Sequence, residues 1–204
     1  MVRGWLLVHE GLAGSTRLPS LTRHGQRVSA VELALLMASG AAAAIVIGVV
    51  KLGLGIPGHS IVLSALPMAF GLSAAPRHMA GSVMSVSALM TGLLLSAAGG
   101  VRYGSGAIIS LVLIGPMMDA ALRRVQSGPR VYVALALAGV AANLLALTSR
   151  ATTKILGLDI GSRPFDSWWL LALGTYTASG IVAGLLGAIC WFHFRRRDGQ
   201  RSPA

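Results

Sequence analysis

Long apolar runs decide what this chain can become. Residues 32–53, 80–99, 105–122, 131–149 and 168–192 are dominated by Leu, Ile, Val, Ala, Gly and Met, and a shorter run covers 61–75. About 20 apolar residues cross the ~30 Å of hydrocarbon in a bilayer, so the five longer runs suffice with a few residues of slack. Only 11% of the 204 residues are charged, where a soluble domain carries roughly 25%. The expected fold is all-α: a polytopic integral membrane protein forming one compact bundle of six transmembrane helices. Residues 1–31 read as a cytoplasmic N-terminal tail, 32–192 as the transmembrane domain and 193–204 as a basic cytoplasmic C-terminal tail.

Charge sets the orientation. With the N-terminus inside, alternation puts Arg3, Arg17, Arg23, Arg27, Arg77, Arg123, Arg124, Arg130, Arg195, Arg196, Arg197 and Arg201 in the cytoplasm. Lys51, Arg102, Arg150, Lys154 and Arg163 are left outside. Positively charged loops stay cytoplasmic, so both termini are expected inside, in the cell's inner (plasma) membrane. These flanking charges suit anionic lipid heads as partners. They form no groove, and no nucleic-acid-binding module is visible.

The second run is the weak point. Residues 61–75 contain Pro67 and lie between Pro57 and Pro76. The run either crosses as a short or kinked span or re-enters, and a broken helix at that depth must be covered by protein or line a cavity. The longest internal loop is expected at 150–167, along the outer surface, before Trp168 and Trp169 anchor the last span at the interface.

Lipid gives no hydrophobic drive for helix association, so small residues at four-residue spacing mark close packing. The first span carries Gly40, Ala44 and Gly48 on one face, with Ala38, Ala41 and Ala42 nearby; the third has Ala88, Gly92 and Ser96; the sixth has Gly180, Gly184 and Ala188. The first of these stripes serves either internal packing or docking of another membrane subunit.

Few polar groups lie within the spans. Asp119 and Arg123 are one turn apart, a spacing that lets their side chains pair. Asn143 needs a partner, and it, Tyr176 and Thr175 serve either packing or ligand contact. The stretch Gly53-Leu54-Gly55-Ile56-Pro57-Gly58-His59-Ser60-Ile61 joins the first two spans. Its Gly and Pro set a tight turn, and free amides at the following helix start suit an anionic group. His59, Ser60, Asn143, Tyr176 and Trp169 are the candidate solute-binding residues. No carboxylate pair, HExxH, Walker sequence or Ser/His constellation appears, so no catalytic residue, enzyme activity or ATP hydrolysis is expected of the chain itself. The single cysteine, Cys190, forms no intramolecular disulfide and no metal-thiolate spacing. No cofactor or metal is expected.

Six spans in so short a chain, a small-residue first helix and a Gly/Pro outer loop resemble the substrate-binding S component of an energy-coupling factor (ECF) transporter. Ile56-Pro57-Gly58-His59-Ser60-Ile61 followed by Leu66-Pro67 resembles the start of the second helix in such proteins, and Gly115-Pro116 resembles their Gly-Pro kinks. The resemblance covers residues 32–192. It implies an importer subunit that binds a vitamin or a metal ion from outside under its first loop. It then topples in the membrane when a coupling transmembrane subunit and two ATPase subunits act. The small face that would dock on the coupling subunit is Gly40, Ala41, Ala44 and Gly48. Metal-type members carry a metal-ligating His near the N-terminus; no Met-His start is present here, so the resemblance favours a vitamin or other small organic solute over a metal. The alternative is a small multi-pass scaffold or assembly protein with no transported ligand. A lipid-modifying membrane enzyme, a channel or a self-sufficient carrier ranks below both.

Overall fold

A computed structural model describes residues 29–50, 58–76, 79–101, 103–125, 129–157 and 165–199. Among these are six α-helices and no strand: α1 (Ala30–Val49), α2 (Ser60–Ala74), α3 (Ala80–Ala97), α4 (Ser105–Arg124), α5 (Arg130–Ile155) and α6 (Phe165–Gly199). All but α2 contain a stretch long and apolar enough to cross a membrane, which in α6 is Trp168–Phe192. The chain is thus a helical, multi-pass membrane protein. The N-terminal tail through residue 28, residues 53–57 of the first loop, Lys51, Arg77, His78, Arg102, the 158–164 loop segment and residues 200–204 lie outside the described residues.

Three boundaries differ from the sequence reading. α1 starts at Ala30 because Ser29 and Glu32 form a capping box: Ser29 Oγ accepts from Val31 N, and Glu32 Oε2 accepts from Ser29 N at 3.0 Å. This arrangement satisfies amides that the first turn cannot. α5 runs on to Ile155, so Arg150 and Lys154 sit on a helix and not in a loop. It stops at Gly157, whose φ of 69° suits a residue without a Cβ, and whose N–H donates back to the Lys154 carbonyl. α6 continues through Gly199, so 193–199 extend the last helix where a tail was expected.

Around the bundle, α1 packs on α3, α3 on α4, α4 on α5, α5 on α6, and α2 closes the ring between α6 and α1 while also touching α4. Helices α2, α4 and α6 start at one end, termed here the α2-start end; α1, α3 and α5 start at the other. Alanines recur through the core beside larger side chains such as Ile61, Met68, Leu72, Met84 and Leu111. Ala43, Ala44, Ala88, Ala142, Ala146, Ala172, Ala183 and Ala188 are fully buried, whereas Val31, Met37, Val49, Val86, Leu94, Leu137 and Leu170 are exposed. Small buried residues on facing helices allow the close backbone approach by which helices associate in lipid.

Glycines mark the crossings. A Cβ on Gly40 would collide with the Met84 backbone of α3, and one on Gly81 with the Gly115 carbonyl of α4. On Gly180 it would lie 2.7 Å from the Cα of Val140 on α5. α2 is one 15-residue helix despite Pro67, about 22 Å long. Gly58, just ahead of it, lies at Tyr176 of α6, and Ala69 lies at Gly187 of the same helix, about 16 Å further along.

The packing corrects one site expectation. Gly40, Ala44 and Gly48 are buried within the chain itself. Gly40 meets Met84. Gly48 meets the Tyr103 hydroxyl, which would stand 2.7 Å from a Cβ there. Tyr103 also donates to the Ala44 carbonyl at 2.9 Å. This small face of α1 is filled by α3 and the α3–α4 connection, so it is not open to another subunit. Ala41 is half-buried beside it.

Candidate functional site

Among the described residues two polar clusters interrupt the apolar interior, one toward each end. The first is centred on Asn143, which is fully buried in the middle of α5. Its Nδ2 donates to the Tyr176 carbonyl of α6 at 2.7 Å and to the Gly58 carbonyl, just ahead of α2, at 3.3 Å. One amide thereby joins three segments far apart in sequence. Interhelical bonds of this kind contribute about 0.6 kcal/mol on average and up to ~1.7 kcal/mol.

Gly58 fits this junction for a steric reason. Its φ is 84°, and a Cβ there would fall 2.9 Å from Cγ of Tyr176. The chain therefore turns directly over the tyrosine ring into His59 and Ser60, both half-buried at the start of α2. Tyr176 is itself buried, and its hydroxyl lies where a Cβ on Gly106 of α4 would come within 3.2 Å. The same Cβ would be 3.8 Å from the Ala146 carbonyl of α5. Four helices, α2, α4, α5 and α6, thus meet at one level.

Of the candidate residues, Asn143, Tyr176 and the Gly58–His59–Ser60 turn come together. Trp169 does not join them as a buried residue: it is 38% exposed, while Trp168 beside it is 4% exposed. Trp168 packs with Ala146, Leu147, Ala151, Ala172 and Tyr176. Its ring lies under two cations of α5, with Lys154 Nζ at 4.8 Å and Arg150 Cζ at 5.7 Å from the centroid. Such contacts are worth about 0.5–1 kcal/mol where exposed. Trp168 thus fastens the start of α6 to the end of α5.

The sequence reading missed Gly106 and Ser110. Ser110 lies one turn beyond Gly106 on α4 and is 1% exposed. Its Oγ has no hydrogen-bond partner, and neither has Asn143 Oδ1. The available signal was the Gly-x-x-x-Ser spacing of small residues on one helix face.

The second cluster, at the far end, reassigns Asp119. Its expected partner was Arg123, but that side chain is exposed. Asp119 instead turns to the start of α3. Oδ1 accepts from Gly81 N at 2.9 Å, and Oδ2 accepts from Ser82 N at 2.8 Å and Ser82 Oγ at 2.9 Å. α3 starts after Met79, whose φ is 66° and which supplies no side-chain cap. The carboxylate of a different helix therefore caps α3 and meets the positive end of its dipole. The close approach of Gly81 and Gly115 permits this. Next to it, Gly115 N donates to Ser85 Oγ at 3.2 Å.

Among the described residues no group of three or more His, Cys, Asp or Glu side chains could hold a metal ion. No family model, curated protein or solved structure matches the chain.

Proposed function

We propose that this chain is the membrane-embedded substrate-capture subunit of an ECF-type importer and takes a small, vitamin-like organic solute from the outer face of the plasma membrane. In this reading α2 is a sixth crossing, both termini are cytoplasmic, and the α2-start end faces outward. The observation that carries it is the Asn143 junction. A fully buried amide ties the segment leading into α2 to the middle of α5 and α6. That fixes a polar spot beside the turn into α2. Asn143, Tyr176, His59 and Ser60 would meet the solute, and Trp169 would stand at the rim.

The coupling subunit, with its ATPase partners, would dock on a different stripe of α1 from Gly40, Ala44 and Gly48. Ala34 and Ala38 are exposed and Ala42 is half-buried. Their four-residue spacing lets a partner helix approach closely. The same stripe would suit the second reading, a scaffold whose partners are only proteins.

Native mass spectrometry of the gently extracted chain separates the two, because it weighs bound solutes and subunits together. Capture predicts a small molecule that is retained by wild type and lost from Asn143→Ala. It also predicts a coupling subunit lost from the double variant Ala34→Leu, Ala38→Leu with the solute still bound. Protein partners without any solute would favour the scaffold and refute capture.

A further inference from the structure

Asn143 Oδ1 and Ser110 Oγ are both unpaired, on residues 0% and 1% exposed. More than 90% of buried polar groups have a partner, and each orphan costs about 1–3 kcal/mol. Register brings the two to one level. α4 and α5 are antiparallel neighbours, and a Cβ on Gly106 would lie 3.8 Å from the Ala146 carbonyl. One turn inward from that contact are Ser110 on α4 and Asn143 on α5. Ser110 also shares the α4 face of Gly106, the face that meets Tyr176.

We infer that Asn143 Oδ1 and Ser110 Oγ together hold the uncharged, hydrogen-donating edge of a solute, as presented by an amide, a lactam or a pyrimidine-type heterocycle. This assignment rests on the capture reading and specifies what is captured. The chemistry follows from what each atom has left. Both hydrogens of the Asn143 amide are committed to the Gly58 and Tyr176 carbonyls. Oδ1 can therefore only accept, and the guest must bring an N–H or O–H. The Ser110 hydroxyl donates or accepts, so a neighbouring carbonyl or second donor on the guest suits it. A carboxylate or phosphate carries acceptors alone and would set oxygen against Oδ1.

Charge is disfavoured for a second reason. The guest's inner edge would be flanked by an amide, a hydroxyl, a tyrosine and backbone carbonyls, with half-buried His59 at the rim. Along α4, Asp119 is about 13 Å beyond Ser110, and along α5, Arg150 is about 10 Å beyond Asn143. Among the described residues an ion at this level would find no countercharge, and burying one unpaired is costly.

The test uses the full chain in phosphatidylcholine nanodiscs, with benzamide and uracil as neutral probes and benzoate as the charged isostere of benzamide. Binding is read by calorimetry and by the shift in unfolding temperature. The expected result is binding of a neutral probe, weakened about three- to tenfold by Ser110→Ala, with benzoate failing to bind. Ser110→Ala without probe should unfold no earlier than wild type, since it removes an unpaired hydroxyl. That check separates lost contact from lost fold. Benzoate binding as tightly as benzamide, or neutral-probe affinity unmoved by Ser110→Ala, overturns the assignment. So does the absence of neutral-probe binding with only a water bridging the two oxygens. If native mass spectrometry still finds a retained solute in those cases, capture stands and this assignment alone falls. If it finds none, both fall.

Discussion

Replacing Asp119 by Ala should be among the most damaging single changes in the far half of the bundle. The carboxylate accepts three hydrogen bonds from the first turn of α3. Losing a helix N-cap costs about 1–2 kcal/mol, and a partly buried charge at a helix end contributes up to ~2 kcal/mol. The Gly81 amide, left buried without an acceptor, adds about 1–3 kcal/mol. These effects overlap, so the expected loss is about 3 kcal/mol in all. Asp119→Asn keeps one accepting oxygen and should recover roughly half of that. Arg123→Ala should stay within about 0.5 kcal/mol, as for an exposed side chain. Equilibrium unfolding in mixed micelles with added dodecyl sulfate, followed by tryptophan fluorescence, measures all three. A loss below about 1 kcal/mol for Asp119→Ala, or an equal loss for Arg123→Ala, would refute the cross-helix cap and restore an ion pair on α4.

Two further outcomes can be checked on the same protein. Gly180→Ala should destabilise by about 1–3 kcal/mol, because the new methyl meets the backbone of Val140 and Gly139. Gly174→Ala, with nothing within 4 Å of its Cβ, should gain up to about 1 kcal/mol from helix propensity; equal effects in an unfolding assay would contradict the α5–α6 crossing. Burial raises the Tyr103 hydroxyl above its ordinary value of 10.0. The folded state then holds this proton more tightly, so its stabilisation is complete below about pH 10 and is lost as pH rises through the folded value. Tyr103→Phe should cost about 1 kcal/mol at neutral pH and flatten that alkaline decline; an unchanged pH profile would argue against the part-buried bond to Ala44.

The helices were legible because crossing a bilayer demands long apolar runs, which a sequence cannot conceal. Their neighbours were harder to read. The spacing of Gly40, Ala44 and Gly48 identified a close-packing face, but only the fold shows that Met84 and Tyr103 fill it. Asp119 was read against the residue one turn away, because local spacing is visible. A cap on amides 37 and 38 positions away is not. Asn143 stood out as an amide needing a partner; its bond to Gly58 joins residues 85 apart. Trp168 and Trp169 are equivalent in composition, and helix rotation alone makes one buried and the other exposed. Ser29-x-x-Glu32 spelled a capping box that was there to be read.

The central claim is that the α2-start end, with the Asn143 junction beneath it, faces the outside of the cell. Single-cysteine variants on a Cys190→Ala background test it with a membrane-impermeant maleimide. Gly104, at the α2-start end, and Arg124, at the other, are both exposed. Gly104→Cys should label on intact cells and Arg124→Cys only after permeabilisation. The reverse pattern would turn the site toward the cytoplasm and contradict capture from outside.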